Sequence, residues 1–588
     1  MKKMMFGTMM ILFVAAVLMI AGLSRPKGDF APADDFPREA LIYVQINNLP
    51  ELIETWRKSE TRAAYLKSEN FDDFGKRHLA LKLVERAGEI FDRTSIFPDL
   101  DLAANLSENS AALAVYDIGK MEFVFVAPMS EEKILATSLF SRQADFEEIG
   151  IDSETRAYSK EIEVDRQRQK QKILFASVAG RLIVATSEKY FLQTIDNLRG
   201  KTPRNRLSAD PDFISTAARI KPQTATVWLN QKKLNDDWYF RHYWLMGDVK
   251  RLANLRAGMI DLDLRADAIV EKRVFLTAKP ESGPAVDRRA AAGLGRFVPA
   301  DAPFYEIETM PAAKLNKSLE DILFGSPEAA PDEKTTRSRH YFSDWETSDS
   351  FSYLGGDFNE SVDESEDDEM PALADDKDER PDFAGVMANT VPKAGLRIES
   401  PARLDDPAFF ENRRALVLAL GSAGRLDRPE LETRIAAAAA RRLTAGRPEN
   451  SFRWGDFSVE GADARKLEFP ALGRAIFYAV RGEFLIFSNN EELLTAILNA
   501  PAGSESPAGD FAALTVIRPK EAARSFTPVF ARIEAIDNFS DGPDYFFTRN
   551  IDGLLKLAGG LERIEITKKS EGRLLVEELD YRFAAPAE

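Results

Sequence analysis

The stretch VAGRLIVATSEKYFLQTI (Val178–Ile195) and a second of the same cut, VRGEFLIFSNNEELLTAI (Val480–Ile497), decide the fold class. In each, a run of β-favouring residues (KILFASV; RAIFYAV) meets a glycine, Gly180 or Gly482, and a second apolar run follows (RLIVAT; EFLIFS). Glycine supplies the positive φ that a tight hairpin turn requires. The second run closes on a capping residue, Ser187 or Asn489, and a helix follows. Phe191, Leu192, Ile195 and Leu198 fall at helical spacing in one stretch, and Leu493, Leu494 and Ile497 in the other. Asn489 with Glu492 reads as a capping box.

Two further matches extend the likeness. LANLRAGMIDLDL from Leu252 and LLKLAGGLERIEI from Leu554 align Gly258 with Gly560 at the offset of 302 that also relates Gly180 to Gly482. FPREALIYVQI and FVPADAPFYEI align Pro37 with Pro299 and Tyr43 with Tyr305 at an offset of 262. These matches predict an α+β fold, two copies of a mainly antiparallel sheet-plus-helices module. The first copy spans 36–280 and the second 297–585, joined by the Pro/Gly/Ala-rich linker 281–296. In the second copy ALVLAL leads to PELETRIAAAAARRL, with Asp427 and Glu430 as a capping box, Pro429 in the first turn and Gly446 at the end.

The amino terminus carries a different signal. Lys2 and Lys3 precede twenty uncharged, mostly apolar residues, Met4 to Leu23, which at 1.5 Å per residue reach about 30 Å, the thickness of a bilayer core. The sequence after Ala21 offers a poor cleavage site, so residues 4–23 read as an uncleaved transmembrane anchor with 1–3 in the cytoplasm and 24–35 as a linker. The rest of the chain is then expected beyond the inner membrane, in the periplasm or outside the cell.

The 588 residues carry a net charge of −17, and its location matters more than its size. Between Asp357 and Asp382 thirteen acids face only Lys377 and Arg380, a local net of −11 that leaves −6 for the remainder. Residues 326–395, short of branched aliphatics, read as a largely disordered acidic insert. No basic stripe accompanies it, which argues against nucleic acid as a partner. The chain has no cysteine, so disulfides, thiolate catalysis, thiolate metal sites and a lipidated-cysteine anchor are excluded.

The anchor, the opening FPREALIYVQINNLPELIETW and the recurrent glycine hairpin followed by a capped helix resemble a family of uncharacterised bacterial membrane-anchored envelope proteins, classed as a domain of unknown function. The resemblance covers both halves and implies no activity, cofactor or site residue.

Motifs for chemistry mostly fail on inspection. Ser130 and Lys133 fit S-x-x-K, the nucleophile motif of penicillin-binding enzymes, but no K-T-G accompanies them; the nearest is Lys201-Thr202-Pro203. Ser130 after Pro128 reads better as a helix start. Gly200-Lys201-Thr202 resembles the tail of a phosphate loop but follows a helix instead of opening one. His78, His242 and His340 have no metal-motif companions. Asp357, Asn359 and Ser361 begin like a calcium loop, yet Val362 stands where that loop needs glycine. No catalytic, cofactor or metal residue is therefore assigned.

Two aromatic clusters are the candidate binding residues. Trp238, Tyr239, Tyr243 and Trp244 lie in DDWYFRHYWLM and suit a ligand groove, a lipid interface or plain packing of rings on a sheet. Tyr341, Phe342 and Trp345 lie among acids in the insert, as in a docking peptide for an envelope protein partner or an ordered edge of the second module. The function expected from these readings is binding or scaffolding. The alternatives are a carrier of lipid or another apolar ligand, and an envelope hydrolase using Ser130 and Lys133.

Overall fold

The computed structural model describes residues 29–47, 110–152, 155–164, 169–237, 240, 252–265, 267–280, 285–324, 383, 394–401, 412–420, 426–444, 452–459, 462–470, 474–501, 510–537 and 559–583. Before residue 281 these form β1 (Ile42–Ile46), β2 (Ala111–Asp117), β3 (Glu122–Pro128), β4 (Glu147–Gly150), β5 (Arg156–Val164), β6 (Gln169–Val178), β7 (Arg181–Ala185), β8 (Ala225–Leu229), β9 (Leu255–Leu264) and β10 (Ala268–Thr277). After it come β11 (Phe304–Glu308), β12 (Ala394–Ser400), β13 (Arg413–Ala419), β14 (Arg453–Val459), β15 (Ala462–Phe469), β16 (Arg474–Arg481), β17 (Phe484–Ser488), β18 (Ala513–Ile517), β19 (Leu561–Glu571) and β20 (Leu574–Phe583). The helices that matter below are α1 (Glu131–Leu135), α2 (Glu188–Leu198), α3 (Arg288–Gly295), α4 (Ala312–Phe324), α5 (Arg428–Thr444) and α6 (Glu491–Leu498).

The chain divides into two compact units. The larger takes residues 1–309, 398–412 and 503–588, and the smaller 310–397 and 413–502. In the larger unit fourteen strands form one antiparallel sheet in the order β4-β5-β6-β7-β3-β2-β1-β8-β9-β10-β20-β19-β18-β11. Its main core lies on one face, where Tyr43, Trp228, Phe191, Phe213 and Met259 are buried. In the smaller unit β14-β15-β16-β17-β13 make a five-stranded antiparallel sheet. Leu315 and Leu319 of α4 and Leu431 and Ile435 of α5 pack on it against Leu485 and Phe487.

This corrects the expected fold class. The chain does not form two separate sheet-plus-helices modules: it is mostly antiparallel sheet, and strands from both halves of the sequence share the fourteen-stranded sheet. Residues 281–296, read as a linker, include α3, with Asp287 capping the Ala290 amide at 2.9 Å. The physical reason lies in the closing hairpins. Each ends on a ten-residue strand, β10 or β20, whose outer edge would leave a row of backbone N–H and C=O groups unpaired. The two edges satisfy each other along nine residue pairs, from Ala268 with Arg582 to Leu276 with Leu574, and Lys272 opposite Glu578 is the middle pair. The expected anchor, residues 4–23, lies outside the described residues, and among those described no helix is long and apolar enough to cross a membrane.

Pairings in the second half follow those of the first, in a register that differs from the glycine alignment. Val178 pairs Arg181 across an Ala179-Gly180 turn, and Arg481 pairs Phe484 across Gly482-Glu483. Gly180 is thus the second turn residue, with Ala179 at φ 50° and Gly180 at φ 70°, a type I′ geometry. Gly482, at φ 60°, is the first turn residue, as in type II′. Matching the glycines therefore slips the strands by one residue, which exchanges their faces. The helix starts agree with the corrected register: Ser187 precedes α2, and Asn490, not Asn489, caps α6 by accepting from the Leu493 amide at 2.9 Å. Gly258 faces Leu229 where Ile564 faces Ile517, so its match to Gly560 is not a ladder match either. Tyr43 pairs Trp228, and Tyr305 pairs Val516 one residue into the corresponding strands; both tyrosines are fully buried.

Candidate functional site

The open end of the fourteen-stranded sheet builds the best candidate site. β4 pairs only with β5 among the described residues, so one side of it carries no strand. The Ile151 amide donates to the Thr155 carbonyl at 3.1 Å. Antiparallel alternation then turns the N–H and C=O groups of Ile149 toward β5 and those of Glu148 and Gly150 away from it. Ile149, Ala157, Ala176 and Ile183 run in one row across β4, β5, β6 and β7. The two alanines keep that row low. α2 packs over β6 and β7 and leaves the β4 side open.

The result is a cleft of about 260 Å³. Leu174 and Phe191, both buried, form its floor, Ile149, Gly150, Ile151 and Leu192 its walls, and Glu188 stands at its mouth. Leu192 is 38% exposed, unlike Phe191 and Ile195 beside it on α2, which reach the core. Glu188 accepts from Lys172 Nζ at 2.6 Å. That bond, with the charges of Glu188, Glu161 and Glu147, raises the Lys172 ammonium above the usual lysine range. Glu188 thus pairs with Lys172, and Glu161 stands opposite Lys172 across the β5–β6 ladder. The sequence offered one signal for this site, an apolar residue too many on α2, and none for β4, whose EEIG does not alternate like a half-buried strand.

A second polar feature lies inside the core. The Thr226 hydroxyl and the Gln223 amide donate to Asp261 Oδ1 at 2.7 and 3.0 Å. Burial nevertheless pushes the Asp261 carboxyl up to about 6. The Tyr43 hydroxyl donates to Gln45 Oε1 at 3.0 Å, and Gln45 Nε2 donates to the Asp29 carbonyl at 2.7 Å and to Asn47 Oδ1 at 3.1 Å. Asn47 Nδ2 in turn donates to the Gln223 carbonyl, which joins the two groups of bonds. Every member is occupied by a neighbour, so the network holds strand ends and presents no reactive group.

A third lies at the junction of β10 and β20. Arg273 makes a bidentate pair with Glu271 at 2.5 and 3.0 Å and lies 3.6 Å from Glu577, which Lys568 also approaches at 3.4 Å. The Tyr581 hydroxyl donates to Glu271 at 3.3 Å. Burial, with the nearby Glu271 charge, pushes the Tyr581 phenol above its usual range.

The residues singled out in the sequence fall as follows. Ser130 caps α1, its hydroxyl oxygen accepting from the Lys133 amide at 3.4 Å. Asp427 accepts from the Glu430 amide at 3.1 Å, while the Glu430 carboxylate accepts from Arg434 at 2.8 Å, so only one half of that capping box forms. Trp238, Tyr239, Tyr243, Trp244, Tyr341, Phe342 and Trp345 lie outside the described residues, as do His78, His242 and His340 and nearly all of the acidic insert. Phe240, inside the first aromatic cluster, is buried with Leu41, Leu229 and Leu234. Among the described residues no group of three or more His, Cys, Asp or Glu could hold a metal ion.

No family model matches the chain, and no curated protein matches it. Among solved structures, crystal form I of TP0453 is 11% identical, covering 44% of this chain and 82% of that one at a TM-score of 0.23. Crystal form III of TP0453 is also 11% identical, covering 42% and 81% at a TM-score of 0.24. Likeness of this size leaves the function to be argued from the residues.

Proposed function

We propose that the chain is a membrane-anchored envelope protein that acts by binding or scaffolding, held at the inner membrane through residues 4–23 with its bulk in the periplasm or outside the cell. The observation that carries the binding reading is the cleft lined by Ile149, Ile151, Leu174, Glu188, Phe191 and Leu192, beside the edge of β4 that carries no strand among the described residues. An edge strand leaves main-chain donors and acceptors for a ligand, and an adjacent apolar recess supplies a site for a side chain or alkyl group. The acidic aromatic segment containing Tyr341, Phe342 and Trp345 is a second point of attachment for an envelope protein partner.

A carrier of lipid or another apolar ligand is the second reading, favoured by the same apolar walls. A hydrolase using Ser130 and Lys133 has less support, because the Ser130 hydroxyl is engaged as a helix cap. Native mass spectrometry of the full chain tests the choice. A co-purifying protein mass, reduced by Leu192→Asp, supports binding, and a bound mass of a few hundred daltons supports the carrier. Covalent labelling by a β-lactam or fluorophosphonate, abolished in Ser130→Ala, would overturn both.

A further inference from the structure

We infer that β4 is the docking edge for an extended peptide segment that carries an apolar residue flanked, two positions away on the same side, by lysine or arginine. The inference rests on the binding reading and gives it a partner chemistry. The main-chain groups of Glu148 and Gly150 face away from β5, and a strand added there extends the sheet by one antiparallel ladder.

Side chains of the added strand alternate between faces. The one opposite Ile149 lies on the face of Ile149, over the recess floored by Leu174 and Phe191. Its neighbours two residues away lie on the same face, one opposite Glu147 and the other opposite Ile151. Glu147 is exposed and has no ion-pair partner among the described residues. The exposed Glu147 carboxylate favours a basic residue on the added strand.

Gly150 allows a clean test. A Cβ placed there meets nothing within 4 Å, and its N–H is not used by β5, so Gly150→Pro removes an outward donor and leaves the β4–β5 ladder in place. The probe is a nine-residue peptide, STKTLTKTS with blocked ends, titrated against the full chain, with STETLTETS and the apolar dye N-phenyl-1-naphthylamine alongside. Saturable binding of the lysine peptide is expected, weakened about tenfold or more by Gly150→Pro and also by Leu192→Asp, and weakened by added salt. Circular dichroism of both variants checks that the sheet is intact. Equal binding of the two peptides, or peptide binding untouched by Gly150→Pro, would overturn the inference. So would dye binding without peptide binding, which would turn the recess into a small-ligand site while leaving the carrier reading standing.

Discussion

Asp261 faces Thr226 across the β8–β9 ladder, on the face of the main core where Ala257 and Met259 are buried. Its folded pKa of about 6 lies above the ordinary aspartate value of 3.8, so below about pH 4 the carboxyl is protonated folded or unfolded and costs nothing. As pH rises toward 6 the unfolded chain gives up the proton more readily, and stability falls by about 3 kcal/mol before levelling off. Asp261→Asn removes that dependence. The variant's stability relative to the parent is predicted to rise by about this amount between pH 4 and pH 7 in urea unfolding, whereas a parallel pair of pH profiles would show that Asp261 is not buried as described. The residue was hidden in the sequence because the alternation MIDLDL reads as a strand with a wet side. β9 is covered on both faces, so the polar side turned out to be interior.

At the scale of the element, the two hairpins at Gly180 and Gly482 were legible and their register was not. Gly marks a turn without saying which turn position it fills, and that single ambiguity moved the cap from Asn490 to Asn489. The structure makes the positions distinguishable. Ala179 holds φ 50° without being glycine, a conformation that costs an L-residue about 1 kcal/mol or more and that asparagine accepts more readily. Ala179→Asn is predicted to stabilise the chain by a few tenths to about 1 kcal/mol, and Gly180→Ala to destabilise it by about 1 kcal/mol, read from thermal unfolding. Opposite signs would mean that the turn is not type I′. β4 escaped the sequence for a related reason: four residues with two adjacent glutamates give too short a pattern to show alternation.

For the whole molecule, the decisive feature is the β10–β20 junction, which the repeated sequence concealed by suggesting two self-contained modules. AIVEKRVFLT looks like a strand with a charged outer side, yet Glu271 is 2% exposed because β20 lies beside it and Arg273 and Tyr581 close over it. Arg273→Met leaves Glu271 buried without its cation and is predicted to cost about 3–5 kcal/mol, while the double change Glu271→Leu with Arg273→Met restores most of the loss. Comparable small effects of both variants would place the pair at a wet surface. The most direct measurement uses the absence of native cysteine: Lys272→Cys with Glu578→Cys, oxidised in the full chain and mapped by mass spectrometry. Directly opposed strand partners fall within disulfide reach, so an intramolecular bond is predicted to form readily. The control pair Lys272→Cys with Glu577→Cys, one residue out of register and on the other face, should not cross-link. Failure of the first pair, or equal cross-linking of both, would contradict a sheet that joins the two halves of the chain at their last strands.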